Sequence, residues 1–420
     1  MPYQRKGNET LRRGQVDGCS YTIVDKNGVD YFYGLATPTV SGDTRAQIFS
    51  AFENLQNALV EQDIDCVVQL EIFLREIGDK ELVRAVMNKV WEDSLIPATT
   101  YIPQKPCDNQ YDILVLATAV NSSPTSENSM PISVYEGGER ASLLEYDGVE
   151  IGFFGGFTPG DSPIGAYERS FDAFTKMRAE LEGNGFLLPH VFRTWIYQGH
   201  IVLEEGETQR YKELNRARSD FFYGVRFLEE RLPEPLKGRV VYPASTGIGA
   251  DDVDVTMSCI ALKTDRDDVR LIPLENPNQT SAFDYASFYS PKSPKFARAM
   301  AVSFNERTAV YVSGTASIVN QETVFQGDPA AQTNQTLDNI AALISETNLQ
   351  NHGLDGFAAD LTDLAVARVY VKNQKDMSVV RSICEQRLPE VPILYTYADV
   401  CRDDLLVEIE GVVSCRLSEK

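Results

Sequence analysis

Histidine is scarce in this sequence, and regularly spaced cysteine is absent from it. Its 420 residues include only three histidines, His190, His200 and His352, with no HxH or HExxH arrangement. The seven cysteines form no CxxC pair and show no regular spacing. Zinc sites and disulfide frameworks depend on such spacings. A metal centre and a disulfide scaffold are therefore disfavoured, a Ser-His-Asp triad has few candidate bases, and we expect no cofactor.

Long apolar runs and an excess of positive charge are also missing. No segment approaches the roughly 18–20 continuous apolar residues of a membrane span, and no apolar stretch follows the basic segment MPYQRKGNETLRRG. We therefore expect a cytoplasmic protein without a membrane partner. The 61 acidic and 39 basic side chains give a net charge of −22, which repels nucleic acid and anionic lipid. A small anionic ligand would need arginines committed to a local pocket.

One structural unit occurs three times along the chain. Each copy opens with a hairpin of alternating residues: SYTIVDKNGVDYFYGLATP, ASLLEYDGVEIGFFGGFTP and AMAVSFNERTAVYVSGTAS. A helix with apolar residues at 3–4 spacing follows, in which Phe52, Phe171 and Leu337 are predicted to be equivalent. A strand, a second helix and a closing strand complete a ββαβαβ order. We predict an α/β (α+β) fold in which three units bury their bare sheet faces against one another as a pseudo-trimer.

Two polar segments mark the expected boundaries of the units. NSSPTSENSMP separates the first two copies, and the Pro/Asn/Ser-rich segment LENPNQTSAFDYASFYSPKSP separates the second copy from the third. The first unit is expected to be degenerate and structural. The expected divisions are a first unit over 1–122, a second over 132–265 with an insertion near 204–237, a connector loop over 266–297 and a third unit over 298–420.

The closing strand of the third copy carries two acids. In YADVCRDDLLVEIEG, residues two apart point to the same face, so Glu408 and Glu410 share one side of a sheet. In the first copy, Val115 or Leu116 stands where Glu408 would be. A carboxyl group at a seam between units is desolvated, its pKa rises, and it can donate a proton. The alternative is an exposed sheet face on which acids aid solubility. No separate role is predicted for Glu410.

Three other segments could bind an anion, and each also has a purely structural interpretation. RYKELNRARSDFF places Tyr211, Asn215 and Arg218 on one helix face, which fits either a carboxylate site or a solvated helix. FRTWIYQG alternates three side chains on one strand face, which fits a cation–π feature of the core better than a binding element: Arg193, Trp195 and Tyr197. The irregular aromatic loop FDYASFYSPKSPKFARAM is either a binding loop or a tether and holds Tyr285, Tyr289 and Arg298.

Taken together, these segments resemble a known family. The ββαβαβ unit is similar to the YjgF/RidA-like fold, which is normally a homotrimer with ligand clefts between subunits. The stretch from about Ile132 to the C-terminus resembles the chorismatases, which join such units in one chain and release pyruvate from chorismate. The matching motifs are FRTW, RYKELNRAR, YPASTGIGADD, YASFYSPKSPKFARA, YVSGTASI and ADVCRDDLLVEIEG.

The resemblance implies a cofactor-free enzyme that cleaves the enol-pyruvyl ether of chorismate, a small anion with two carboxylates. Its single site would lie between the second and third units of a monomeric pseudo-trimer, with a higher oligomer as the alternative. Glu408 matches the catalytic acid. Cys401 is a second predicted catalytic residue. Both Cys401 and Gly314 match family positions that vary with the type of product. Their pairing resembles the branch that forms 3-hydroxybenzoate rather than a dihydroxycyclohexadiene acid. The implied substrate-binding residues are Tyr211, Arg218, Tyr285, Arg298 and Gly314.

Two departures from the family pattern affect the expected pocket. Ile196 stands where a polar residue is expected, and Phe325 replaces an expected histidine. RidA-like deaminases use an arginine in a P-x-R motif, which PATTYI, PASTGI and PILYTY lack, so imine deamination is disfavoured. Two alternatives stay open: a non-catalytic RidA-like protein that binds a small carboxylate, and a hydrolase or deaminase that acts on another enol ether or imine.

Overall fold

The computed structural model describes residues 11–26, 28–91, 96–122, 133–136, 138–162, 164–234, 236–252, 254–286 and 292–417, and only the backbone of residues 134–136 and 138. Tyr289 of the aromatic loop lies outside these residues. No helix in the described part of the chain is long and apolar enough to cross a membrane.

The first sheet has six strands, with two helices packed on one face. Its elements are β1 (Leu11–Val16), β2 (Cys19–Lys26), β3 (Val29–Ala36), α1 (Thr44–Glu61), β4 (Cys66–Leu74), α2 (Lys80–Val90), β5 (Ala98–Ile102) and β6 (Ile113–Val120). The strand order is β1-β2-β3-β6-β4-β5. The tight turn between β2 and β3 needs Gly28, whose φ of 82° a residue with a Cβ rarely adopts.

The second sheet also has six strands, in the order β13-β10-β14-β9-β8-β7. Its elements are β7 (Ser133–Glu136), β8 (Ala141–Tyr146), β9 (Val149–Phe157), α3 (Ala166–Gly183), β10 (Val191–Gly199), α4 (Arg210–Phe221), β13 (Ala244–Ala250) and β14 (Val255–Thr264). A short hairpin within the predicted insertion precedes α4 and consists of β11 (Glu204–Glu205) and β12 (Thr208–Gln209).

The third sheet has the order β15-β16-β17-β23-β21-β22, and β20 pairs with the end of β23. Its elements are β15 (Arg270–Leu274), β16 (Ala299–Phe304), β17 (Arg307–Ala316), α5 (Pro329–Ile344), α6 (Glu346–Asn351), β20 (Phe357–Ala358), β21 (Leu364–Val371), α7 (Met377–Arg387), β22 (Ile393–Tyr397) and β23 (Val407–Leu417). A separate hairpin follows β17 and consists of β18 (Ile318–Val319) and β19 (Glu322–Thr323). At the start of α5, Asp328 caps the helix by accepting a hydrogen bond from Ala331 N at 3.0 Å.

The threefold repetition of the unit is confirmed. In each sheet the strand after the first helix pairs in parallel with the strand after the second helix, and antiparallel with the closing strand. The antiparallel ladder has a bulge in every copy, at Val67/Gln69, Val191/Arg193 and Leu364/Val366. The bulge gives a common reference point for comparing the three copies residue by residue.

The positions of the bulges correct the expected counterpart of Glu408 in the first copy. Two residues after each bulge stand Glu71, Trp195 and Arg368, and their closing-strand partners are Leu116, Ser258 and Glu410. Leu116 is thus the counterpart of Glu410. The counterparts of Glu408 are Leu114 and Thr256, not Val115 or Leu116.

The helices correct a second equivalence. Phe52, Phe174 and Leu337 are each the ninth residue of their helix and are fully buried, whereas Phe171 is 37% exposed. Phe174 therefore takes the core position predicted for Phe171. The prediction failed because residues three apart on a helix lie on nearly the same face, and the rotation of the helix on the sheet decides which of them is buried.

The three sheets turn their helix-free faces toward one another. One apolar cluster runs through all three faces and includes Tyr33, Phe153, Trp195, Tyr311 and Val366. Separate clusters lie under the helices of the first and third units. We propose the unit boundaries expected from the sequence, with one refinement: β15 lies within the predicted connector and pairs with β16 of the third sheet.

Candidate active site

A cavity of about 290 Å³ opens between the second and third sheets. One wall comes from α4 and β13, another from β17 and β23, and a third from the turn after β22 and the segment before β16. It is lined by all seven residues that the resemblance assigns to catalysis or substrate binding: Tyr211, Arg218, Tyr285, Arg298, Gly314, Cys401 and Glu408. The structure therefore brings together, from two units, groups that lie up to about 200 residues apart in the chain.

Glu408 is a buried, neutral acid. It lies on β23 opposite Tyr370 and is only 4% exposed. Within the described chain, no donor hydrogen-bonds to its carboxyl group. Burial raises the pKa of Glu408 to about 8, and the charge of Glu410 adds to the rise, while Arg193 and Arg298 oppose it. The group is therefore mostly protonated at neutral pH and can act as an acid.

Gly314 makes room for that carboxyl group. It lies in a bulge of β17 between Val312 and Thr315, and its N–H donates to Thr246 Oγ1 at 3.0 Å. A Cβ at this position would overlap Glu408 Oε1. The backbone of Gly314 does not have positive φ. The position of the acid, and not the local backbone conformation, therefore requires glycine here.

Glu410, two residues further along β23, is the centre of a fully buried polar network. Its carboxylate oxygens are close to five donor groups: Arg193, Trp195 Nε1 at 2.8 Å, Thr246 Oγ1 at 2.7 Å, the Tyr370 hydroxyl at 2.5 Å and Arg368 at 3.3 Å. Arg368 also pairs with Glu71 of the first sheet. The network thus ties the three units together at their common centre.

This network gives Glu410 the opposite protonation state from Glu408. Burial by itself would raise the pKa of Glu410, but Arg368 and Arg193 outweigh burial and hold it below the ordinary value. The guanidinium of Arg193 also lies 4.4 Å from the ring centroid of Trp195. The core interpretation of Arg193 is therefore right. Sequence reasoning missed the role of Glu410, three of whose five partners come from the second unit.

Two buried arginines face the cavity with unused donors. Arg218, 2% exposed, donates to Asn215 Oδ1 at 2.6 Å. Arg298, 4% exposed, donates to the Tyr285 hydroxyl at 2.6 Å. The Nε–H of each arginine is buried without a hydrogen-bond partner in the described chain. Burial lowers the pKa of Arg218, yet a guanidinium stays charged in proteins. The pair is suited to an anionic ligand.

The helix that carries Arg218 has both a buried and a solvated face. Tyr211, Asn215 and Arg218 turn toward the protein, as the binding interpretation requires. Glu213 and Arg216 form an ion pair on the other side, where the Arg216 side chain is 47% exposed. The solvated face predicted by one interpretation is therefore present, and the other face borders the cavity; that this face binds a carboxylate stays a prediction.

Phe296 and Arg402 also line the cavity and were missed by sequence reasoning. The ring centroid of Phe296 lies 5.6 Å from the guanidinium of Arg218 and 5.5 Å from that of Arg298, so one ring contacts both cations. Arg402 lies 5.3 Å from the ring centroid of Tyr285. The i, i+2 spacing of Phe296 and Arg298 was a usable signal, since such residues share a face in extended chain. For Arg402 the sequence offered only its position next to Cys401.

Cys401 and Tyr211 contribute neutral groups beside the acid. Burial raises the pKa of Cys401 to about 12, and Glu408 adds to the rise. Burial, and then Cys401, raises the pKa of Tyr211 as well. Cys401 is therefore a thiol at neutral pH and not a thiolate, which is the nucleophilic form of cysteine.

The two departures from the family pattern lie away from the cavity. Ile196 is 1% exposed in the core, and Phe325 is 53% exposed on the surface. Neither is among the cavity-lining residues of the described chain. Within the same part of the chain, no group of three or more His, Cys, Asp or Glu side chains converges in a way that could hold a metal ion.

Comparison with known proteins identifies the family. No protein-family profile matches the chain. A 3-hydroxybenzoate synthase from Streptomyces hygroscopicus is 33% identical over 302 residues, which are 70% of this chain and 83% of that protein. A chorismatase from Streptomyces rapamycinicus is 38% identical over 232 residues, or 54% of this chain and 64% of the relative. A chorismatase crystal structure shares the fold, with a TM-score of 0.64 at 22% identity over 93% of this chain and 100% of that one. Because the match to the synthase spans most of both proteins, the chain belongs to the chorismatase family.

Proposed function

We propose that this protein cleaves the enol-pyruvyl ether of chorismate into pyruvate and a ring acid. The observation that carries the proposal is a buried, protonated carboxyl group, Glu408, in a cavity that also holds the two buried arginines Arg218 and Arg298. The relatives named chorismatase and 3-hydroxybenzoate synthase support the same reaction class. Fold alone would not indicate a reaction, because RidA-like units serve several functions.

The chemistry follows from the enol ether. Glu408 transfers its proton to the methylene carbon, and the C=C electron pair forms the new C–H bond. The adjacent carbon becomes an oxocarbenium-like cation, which the newly formed Glu408 carboxylate stabilises electrostatically. Breaking the bond between the ring and the ether oxygen, or adding water to the cation, then releases pyruvate. An acid with an ordinary pKa near 4.5 would be almost fully ionised at neutral pH and could not supply this proton.

The arginines account for substrate binding. Chorismate carries two carboxylates, and Arg218 and Arg298 offer one buried, unpartnered Nε–H each. The Tyr285 hydroxyl is held by Arg298 at 2.6 Å, which fixes the position of both groups. Charge-assisted hydrogen bonds of this kind can offset repulsion from a chain of net charge −22.

For the product we propose 3-hydroxybenzoate. Gly314 and Cys401 both line the cavity next to Glu408, and their pairing resembles that branch of the family. 3-Hydroxybenzoate and pyruvate together contain all the atoms of chorismate, so this branch consumes no net water. The dihydroxycyclohexadiene acid would require one water molecule. In this proposal the Cys401 thiol occupies space beside Glu408 and excludes from the cation the water molecule that the alternative product requires.

The assembly and location expected from the sequence stay predictions. We propose that the three units of a single chain form the working pseudo-trimer and that the protein is cytoplasmic. A non-catalytic carboxylate-binding protein remains the competing function. That alternative needs the arginines but not the acid.

The deciding experiment is incubation with chorismate, with pyruvate measured by a coupled lactate dehydrogenase assay and ring acids separated by chromatography. We expect equal amounts of pyruvate and 3-hydroxybenzoate. In the Glu408→Gln variant both products should be lost, whereas Asp403→Asn should keep them, because Asp403 is an acid at the cavity edge whose side chain is 77% exposed. Tight binding of chorismate without pyruvate formation would favour the binding-protein alternative and overturn the proposal.

A further inference from the structure

The three units form three clefts between neighbouring sheets, and only one of them is the candidate active site. Strand register shows which residues of the three clefts are equivalent. The positions one residue after Glu71, Trp195 and Arg368 are Ile72, Ile196 and Val369. Their partners in the parallel strand are Tyr101, Gly247 and Tyr395, respectively. In the active-site cleft Gly247 leaves open space. In each of the other two clefts a tyrosine stands in its place.

The cleft between the third and first sheets contains a cavity of about 420 Å³. Arg381 of α7 and Tyr395 of β22 line it, and the guanidinium lies 5.0 Å from the tyrosine ring centroid. Leu114, the counterpart of Glu408, lines the same cavity. The position that supplies an acid in the candidate active site is therefore apolar here.

Two polar side chains on the lining of this cavity, Tyr395 and Arg381, have unused hydrogen-bonding capacity. Tyr395 is only 9% exposed, and its hydroxyl is buried without a hydrogen-bond partner in the described chain. Arg381 Nε is likewise buried and unpartnered, and no ion pair to Arg381 occurs among the described residues. Leaving such donors unsatisfied is costly. A cation and a hydroxyl facing one cavity therefore point to a ligand.

The cleft between the first and second sheets shows which ligand this arrangement accepts. Arg84 and Arg381 are each the fifth residue of an eleven-residue helix, α2 and α7. Arg84 lies 5.9 Å from the ring centroid of Tyr101, and the corresponding distance from Arg381 to the ring of Tyr395 is 5.0 Å. In that first cleft, a carboxylate of the chain itself fills the site: Glu139 accepts from Arg84 at 2.7 and 3.2 Å.

We propose that the cavity lined by Arg381 and Tyr395 is a second binding site, which takes a small monocarboxylate on Arg381 in the way that Arg84 takes Glu139. The guanidinium and the tyrosine hydroxyl would donate to the carboxylate, and Leu114 and Leu35 would contact the apolar part of the ligand. Asp108 and Glu385 at the edge of the cavity disfavour ligands with several negative charges. With leucine in place of the acid, the site binds without catalysing. The inference is independent of the reaction proposed above.

A ¹⁹F NMR titration with 4-fluorobenzoate tests the site on the full chain. Every sample carries Arg298→Gln, which weakens binding in the candidate active site. We expect saturable binding that Arg381→Gln weakens about tenfold or more, because it removes a charge-assisted pair. Tyr395→Phe should weaken binding about fivefold, the loss of one hydrogen bond. Arg84→Gln is the matched control and should change nothing, because Glu139 already occupies that arginine.

A second experiment separates this site from the active site. In a chain that carries only Arg381→Gln, chorismate turnover and thermal midpoint should match those of the wild-type protein. The proposal is overturned if 4-fluorobenzoate binds equally well to the Arg381→Gln and parent proteins, or if only Arg84→Gln weakens it. Should Arg381→Gln fail to fold, Tyr395→Phe decides the matter, since it removes only a hydroxyl group that has no partner in the described chain.

Discussion

Replacing Glu408 by Gln should remove the activity and, at alkaline pH, stabilise the protein. Both effects have the same origin: a carboxyl group buried where its ionised form is unfavourable, with a pKa of about 8. Glutamine has nearly the same shape but can neither donate the proton nor ionise. Loss of a general acid lowers turnover by about 10²- to 10⁴-fold. The stability effect is the sharper test of the raised pKa, because loss of activity alone would follow from any essential role of Glu408.

The sign and size of the stability effect follow from linkage. Below pH 4.5 the group is protonated in both the folded and the unfolded chain, and the wild-type protein keeps its full stability. As pH rises toward 8, only the unfolded chain ionises freely, so the free energy of unfolding falls. The pKa difference between about 8 and 4.5 corresponds to about 5 kcal/mol when the fall is complete. The Glu408→Gln protein does not suffer this loss.

Urea unfolding at pH 5, 7 and 9 measures the difference between the two proteins. We expect Glu408→Gln to gain relative to wild type with each step, and to exceed it by the largest margin at pH 9. The wild-type pH–rate profile should show an alkaline limb near the same pH 8, since turnover needs the protonated acid.

Asp403→Asn is the control for this pair of measurements, because it removes a mostly exposed carboxylate from the edge of the same cavity. Its stability difference from wild type should be flat with pH, and its alkaline limb should be unchanged. Two results would refute the assignment of the raised pKa to Glu408. One is a stability difference between Glu408→Gln and wild type that does not change with pH. The other is a pH–rate profile of the residual Glu408→Gln activity that keeps the wild-type alkaline limb.

Three further substitutions probe the surroundings of the acid. Gly314→Ala places a Cβ on Glu408 Oε1, so the acid must move; turnover should fall about 100-fold with little change in thermal midpoint, and unchanged turnover would contradict the geometry. Glu410→Gln leaves Arg193 without its buried anion and should lower the free energy of urea unfolding by about 3–5 kcal/mol. It should also shift the alkaline limb to lower pH, because the Glu410 charge raises the pKa of Glu408. A shift to higher pH would contradict that effect of Glu410 on Glu408. Arg298→Gln should lower kcat/KM for chorismate by about 10- to 100-fold while leaving stability near wild type, and an unaffected kcat/KM would remove Arg298 from the binding site.

Much of the fold could be predicted because the sequence repeats its own pattern. Three hairpins with matching turn chemistry and three helix–strand pairs define the units, and apolar alternation indicates which sheet faces are buried. The errors were of one kind. The pattern predicts Phe171 instead of Phe174, and Val115 or Leu116 instead of Leu114, because spacing along one segment does not fix rotation or register relative to the neighbouring segment. Those quantities are set by packing and by the bulges.

The candidate site was predictable to the extent that its residues lie in distinctive segments. Period two put Glu408 and Glu410 on one face, and the resemblance to chorismatases selected Glu408. The role of Glu410 could not be read from its own strand, since Arg193 lies 217 residues earlier in the chain and belongs to another sheet. For the same reason the sequence does not indicate the open cleft at Arg381 and Tyr395, whose lining comes from two different units.

Glu408 and Glu410 show how one strand can hold two carboxyl groups in opposite protonation states. They lie two residues apart, on the same face, and both are almost completely buried. The difference lies in the donors: Glu410 is contacted by two arginines, an indole, a threonine and a tyrosine, whereas Glu408 is contacted by none in the described chain. The anion at Glu410 neutralises the guanidinium groups that would otherwise stabilise an ionised Glu408, and its own charge adds to the cost of ionising the neighbour. Burial keeps the acid protonated, and the structural network at the centre of the pseudo-trimer strengthens that effect, so the two carboxyl groups have to be understood as one unit.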